Sequence, residues 1–245
     1  MRLHSLPTRR FTRLVASPTG QIRVGDVSVT SRPPRQPELV PWRSATGKSS
    51  FLGSHQMRWM AQKEVMRQDC LLVGPPGSHK RRIAKQWAAL ANRELEYLAL
   101  STDTTEAELK QRREVTDGNV RYVDAAPVRA ALAGRLLLLD GVDKAERNVL
   151  PTLNNLLENR EMGLPDGRFL MAPERYDALI ASGEHSAESL AAAGQLRVHE
   201  DFRVIATGLP VPAFAGFPLD PPLRSRFQGA LPCADLTHHL THHLI

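Results

Sequence analysis

The sequence predicts an α/β protein built on a central parallel sheet, and three observations lead there. Short apolar runs, CLLV at 70–73, LLLL at 136–139 and FRVIAT at 202–207, alternate with segments of helical spacing. That alternation is the mark of βαβ crossovers whose strands are buried on both faces. The first run passes through a Gly-rich turn straight into a helical stretch, and the second ends on an acidic residue, Asp140. The 245 residues suffice for one large domain with a sizeable core, or a domain with appendages.

Taken in order, residues 1–25 read as a leader and 26–50 as an extended linker rich in Pro and Arg, SRPPRQPELVP at its centre. A core is expected over 51–229. MRWMAQKEVMRQ, 57–68, puts Met57, Met60, Ala61 and Val65 on helical spacing. A strand follows at 70–73 and a helix at 80–92. EYLAL, 96–100, reads as a second short strand. TTEAELKQRR, 104–113, reads as a helix with Thr104 as N-cap and Glu106 in its first turn. A helix is expected at 126–133, ahead of the buried strand 136–140. VLPTLNNLLE, 149–158, is helical with Pro151 in the first turn. Pro165-Asp166-Gly167 marks a turn between short apolar runs, consistent with a hairpin across 163–171. Residues 181–197 read as a small-residue helix or a surface loop. A buried strand returns at 202–207, and 230–245 read as an unstructured tail.

Charge is unevenly placed. Residues 1–50 carry nine Lys/Arg against Asp26 and Glu38, whereas 51–245 are close to neutral. The basic balance belongs to the N-terminal fifth, which argues against a nucleic-acid partner; such a partner needs a basic face on the domain itself. Residues 1–25 hold five Arg and no acidic residue, the composition of a mitochondrial transit peptide, with a basic tail as the plainer alternative. No apolar run reaches the ~20 residues of a membrane span. Cys70 and Cys233 make no disulfide framework and fit a reducing compartment. The His pairs 238/239 and 242/243 stand at i, i+4, a spacing that a helix could offer to a metal; an unstructured tail is the plainer reading.

Three elements carry candidate chemistry. In CLLVGPPGSHK the segment Gly74, Pro75, Pro76, Gly77, Ser78, His79, Lys80, Arg81 has the order strand, Gly-rich turn, Lys, helix. This is how backbone N–H groups at a helix N-terminus cradle polyphosphate. The full pattern, G-x-x-x-x-G-K-[ST], would place Gly at His79 and a Mg²⁺-binding hydroxyl at Arg81. A non-Gly residue at a φ > 0 position costs about 1–2 kcal/mol, so strain is expected at His79. Asp140 ends the LLLL strand, where such proteins keep the carboxylate that orients Mg²⁺. The plainer alternatives are an ordinary strand–turn–helix and a turn-starting Asp. PPLRSRF, 221–227, offers Arg226 first and Arg224 second as a cation reaching a neighbouring subunit's γ-phosphate; surface ion pairing is the alternative.

Together these elements resemble an AAA+ ATPase module, and the connecting sequence APVRAALAGRLLLLDGVDKAERNVLPTLNNLLENREMGLPDG resembles the MoxR/midasin/dynein-related branch. That resemblance implies a three-layer P-loop NTPase fold with a central parallel sheet and a β-hairpin insert after the Asp140 strand; no helical lid is read after Phe227, which departs from the family's pattern. The resemblance also implies ATP and Mg²⁺ as cofactors, ATP/ADP as ligands, homo-oligomeric ring contacts and mitochondrial residence. The expected roles are phosphate binding by 74–81, metal orientation by Asp140, and an arginine finger at Arg226 or Arg224.

Departures sit on the catalytic side. Gly141 stands where the group places a water-polarising Glu, Leu209 where it places a polar sensor Asn, and Thr207 is the hydroxyl left nearby. Asp143 and Glu146 follow but cannot be assumed to replace the base. Losing a general base costs ~10²–10⁴-fold in rate. Two readings therefore stand: an ATP-binding module with weak hydrolysis, or a catalytically impaired nucleotide-binding and interaction module.

Overall fold

The computed structural model describes residues 20–41, 54–116, 118–146 and 148–233. Residues 1–19 of the leader, 42–50 of the linker and the His pairs beyond 233 lie outside them.

The chain opens with an antiparallel hairpin, β1 (Gln21–Val24) and β2 (Val27–Thr30). The end of the leader was expected over β1 and linker sequence over β2. The alternation Ile22, Val24, Val29 puts one apolar face of the hairpin against the next helix, and all three side chains are buried. That helix is α1 (Ser54–Val65), which buries Met57, Met60 and Ala61. Next come β3 (Cys70–Val73), α2 (His79–Leu90) and β4 (Leu95–Ala99).

The expected helix over 104–113 is only α3 (Glu106–Leu109). The chain then makes a second hairpin, β5 (Gln111–Thr116) with β6 (Asn119–Asp124), turning at Gly118 with φ +75°. Asp117-Gly118 between β-formers is the turn signal the helical reading passed over. Gln111 anchors the hairpin by donating to Asp124 and Asp166 at 2.7 and 2.8 Å.

α4 (Ala126–Ala133) ends on Gly134 in the left-handed conformation and leads into β7 (Leu136–Asp140). A 3₁₀ turn, Leu150–Leu153, carries Pro151 and continues as α5 (Asn154–Asn159). β8 (Met162–Gly163) and β9 (Phe169–Met171) form the expected antiparallel insert. α6 (Pro173–Ala181) and α7 (Ala187–Ala192) precede β10 (Gln195–Arg197), which adds to β9 in parallel. β11 (Arg203–Gly208), α8 (Pro221–Arg226) and β12 (Gly229–Pro232) complete the described chain. β12 stands partly where an unstructured tail was expected. Its Gly and Pro are poor strand formers, and pairing with β3 holds it extended.

The central sheet is parallel throughout, in the order β12-β3-β11-β7-β4. Helices cover both faces because alternate residues of one strand serve opposite layers: Leu137 and Leu139 join one core, Leu136 and Leu138 the other. The strand order reverses at β3, which has β11 on one side and β12 on the other. Ligand crevices of open parallel sheets form outside the carboxyl ends at such a point. Asp69, just before β3, is fully buried; its Oδ1 accepts from Val204 N at 2.8 Å and its Oδ2 pairs with Arg160 at 2.9 Å. Among the described residues, no helix is long and apolar enough to cross a membrane.

Candidate functional site

β3 delivers the chain at Gly74 to the carboxyl edge of the sheet, and α2 begins five residues later. Gly74 N donates to Gly208 O at 3.3 Å, and Cys233 N donates to Val73 O at 2.6 Å. A Cβ at Gly74 would lie 2.2 Å from Cys233 O, so only glycine lets β12 close behind the loop. Sequence reasoning missed Cys233 because the contact joins residues 159 apart through a strand it did not foresee. Burial pushes the Cys233 thiol up to about 11.

The positive φ of the loop falls at Gly77, φ +137°, with nothing near its Cβ position. His79 is the first residue of α2 and has no positive φ, so the strain expected at His79 is absent. The loop meets its conformational demand two residues earlier, where glycine supplies it at no steric cost.

Lys80 is 6% exposed, and its ammonium donates to Gly74 O at 2.9 Å and Pro75 O at 2.5 Å. These two carbonyls hold the charge at the loop's mouth. A cavity of about 170 Å³ opens there, lined by residues 75–80, Arg82 and Cys233. Whole-ligand pockets span roughly 300–1,000 Å³; this one has room for phosphate groups, with the rest of a ligand over its open side.

Asp140 ends β7 beside the loop. Thr207 Oγ1 donates to Asp140 Oδ1 at 2.6 Å, and Tyr97 OH donates to Asp140 Oδ2 at 2.8 Å. Arg81 Nη1 reaches the same Oδ2 at 3.1 Å and Tyr97 OH at 3.2 Å. Burial by itself would raise the Asp140 carboxyl. Thr207 and Tyr97, together with the charges of Arg81 and Lys144, instead hold it below the ordinary carboxylate value. The Tyr97 bond and the Asp140 charge raise the Arg81 guanidinium further above its ordinary value. Tyr97 gave no sequence signal of its own; strand pairing brings β4 alongside β7 and sets its hydroxyl at Asp140.

A magnesium ion does not fit this donor set. Position 81 offers a guanidinium in place of a hydroxyl oxygen, and that cation lies on the carboxylate expected to orient the metal. Both Asp140 oxygens accept from protein donors, and one of those donors is the Arg81 cation, which a Mg²⁺ ion would have to face. Asp140, expected to orient a metal, is engaged here by Thr207, Tyr97 and Arg81.

The position after Asp140 carries no side chain. Gly141 has φ +90°, and a Cβ there would lie 3.1 Å from Lys144 Cδ. Gly141 N is tied to Thr207 through both its carbonyl, at 3.0 Å, and its hydroxyl, at 3.1 Å. Asp143 is 4% exposed and its Oδ1 accepts from Leu209 N at 2.9 Å. Asp143 therefore fixes the segment after β11 and is not presented to solvent as a base. Glu146 is exposed.

Arg224 and Arg226 lie apart from this constellation on α8, which packs on α5. Arg226 Nη2 pairs with Glu158 at 2.5 Å, and Arg226 Nη1 donates to Pro222 O. Arg224 is exposed.

Comparison with known proteins agrees with the fold. The family description "AAA domain (dynein-related subfamily)" matches residues 69–227. The chain is 55% identical over 207 residues to mouse von Willebrand factor A domain-containing protein 8, a match covering 84% of this chain and 11% of that protein. It thus spans about a tenth of that relative's length. An uncharacterised Staphylococcus haemolyticus protein is 25% identical over 146 residues, 56% of each chain. A crystal structure from Cytophaga hutchinsonii, of a protein assigned as an ATPase, superposes with a TM-score of 0.50 at 15% identity. It covers 80% of this chain and 50% of that one, and shows the fold alone. On the loop, the sheet order and the match over residues 69–227, the chain belongs to the dynein-related subfamily of AAA domains.

Proposed function

We propose that residues 74–81 bind the phosphate chain of ATP or ADP, and that this chain works as a nucleotide-dependent interaction module with weak hydrolysis at most. One observation carries the binding reading: the Lys80 ammonium, held by Gly74 O and Pro75 O over a small cavity at the start of α2. Backbone N–H groups and the helix dipole favour anionic oxygens there, and Lys80 adds a full charge.

Among the described residues, we see no solvent-presented carboxylate beside the loop to activate water. Gly141 has no side chain, and Asp143 is committed to Leu209 N. Family membership supports the competing reading, an active ATPase in which a neighbouring copy completes the site. In that reading Arg224, exposed on α8, is better placed than Arg226 to reach outside its own chain, because Glu158 already neutralises Arg226. Ring-type assembly is the setting proposed for both readings, and the Arg-rich, acid-free residues 1–25 support mitochondrial residence.

The test is thermal unfolding of the full chain with and without ADP or ATP, run beside a phosphate-release assay, for wild type and Lys80→Ala. Stabilisation that disappears in the variant, with negligible phosphate release, is expected. Release that rises with protein concentration and is lost in Arg224→Ala would favour the active-ring reading. No stabilisation by either nucleotide would overturn the binding proposal.

A further inference from the structure

The misfit between this site and magnesium has a consequence for how the nucleotide is held. A triphosphate carries about four negative charges, and P-loop proteins offset part of them with Mg²⁺ bound to a loop hydroxyl and a strand-end Asp. Here the hydroxyl position is Arg81. Its guanidinium stands on Asp140 one residue after the phosphate-loop lysine, in the first turn of the same helix.

We propose that Arg81 supplies the positive charge that a divalent cation supplies in other phosphate loops, so that this site binds a nucleoside polyphosphate without a metal. The proposal rests on the nucleotide-binding reading above and names the ionic form of its ligand.

Three features carry it. First, the guanidinium is already anchored and oriented. Its bonds to Asp140 Oδ2 and Tyr97 OH both use Nη1, so among the described residues the Nε–Nη2 edge is open to an anion. That edge is the planar fork with which arginine pairs phosphate oxygens bidentately. Second, the guanidinium is the more accessible of the pair: Arg81 is 42% exposed and Asp140 22%. Third, Asp140 already accepts from Thr207, Tyr97 and Arg81, and Lys144 adds a further positive charge beside it. A divalent ion entering here would have to displace a paired guanidinium and meet two nearby cations. The arrangement that excludes the metal is the one that replaces its charge.

A fluorescent ADP analogue titrated into the full chain, in magnesium buffer and again in excess EDTA, tests this directly. Wild type is expected to bind with the same affinity, within about twofold, in both buffers. Arg81→Ser removes a charge-assisted bond and restores the hydroxyl. Such bonds are worth about 1.5–3 kcal/mol, so the variant should lose at least about tenfold in EDTA. It should regain much of that loss with magnesium, and that recovery also shows that the variant is folded. A wild-type affinity that falls about tenfold or more in EDTA would overturn the proposal, as would an Arg81→Ser variant indifferent to EDTA. Absence of binding by wild type in both buffers would overturn the nucleotide reading itself, a result distinct from either.

Discussion

The Arg81 guanidinium reaches from the first turn of α2 to the Asp140 carboxylate at the end of β7, with Nη1 3.1 Å from Oδ2. This pair joins the phosphate loop to the neighbouring strand end and makes the loop's unusual residue part of a preorganised charge cluster with Tyr97 and Thr207.

The cluster gives stability a definite pH dependence. The Asp140 carboxyl sits below its ordinary value of 3.8 in the folded chain, so the unfolded chain takes up that proton more readily. Its stabilising contribution is therefore full above that value and is lost as pH falls through the lower folded value. Asp140→Asn should cost about 1–2 kcal/mol at neutral pH, a hydrogen-bonded charge discounted for partial solvent exposure. Urea unfolding of both proteins should show a constant gap down to the carboxylate range and a narrowing gap below it. A gap that ignores pH would contradict the pairing.

Restoring the family's acidic residue should not restore hydrolysis. Gly141→Glu forces a side chain onto φ +90° and against Lys144 Cδ. A destabilisation of about 1–2 kcal/mol is expected from the backbone alone. Phosphate release should stay at the wild-type level. A variant that gained turnover with unchanged Tm would show that the glycine is a simple side-chain loss.

Gly74 is needed for close approach, since the added methyl of Gly74→Ala meets the Cys233 carbonyl. Overpacking of this kind costs about 1–3 kcal/mol, and here it should detach β12. Cys233 reports on that event: its buried thiol, with its pKa at about 11, should react slowly with a thiol reagent in wild type and quickly in the variant. Equal rates would place β12 elsewhere.

The buried pair Asp69–Arg160 holds the start of β3 to β11 and to the end of α5. Arg160 has φ +57° and also stacks over the Phe202 ring at 5.2 Å. Arg160→Ala leaves Asp69 buried without its countercharge and should cost about 3–5 kcal/mol in chemical unfolding. A loss under about 1 kcal/mol would mean that the pair is solvated like a surface bridge.

How much of this was legible in the chain depended on how local each signal was. LLLLD and FRVIAT read as buried strands because a strand covered on both faces is apolar at every position. Lys80 and Asp140 read as a site because each motif is contiguous. The hairpin at 111–124 was missed because Gln, Arg and Glu are good helix formers, and strand pairing overrode that weak preference. The hairpin at 21–30 was hidden by its short alternation within Arg- and Pro-rich sequence, and becomes evident through its packing on α1. Tyr97 and Cys233 could not be found from local pattern, since sheet order alone brings them to the loop. Arg81 was visible as a departure; that it lies on Asp140 was not.

The central claim, that the loop at 74–81 holds nucleotide phosphates, is tested most directly by calorimetric titration of ADP into wild type and Lys80→Ala. Lys80→Ala removes the buried charge poised over the cavity. Saturable binding to wild type, weakened at least about tenfold in the variant, is the predicted result. Equal affinity in the two proteins, or no heat of binding in wild type, would contradict it.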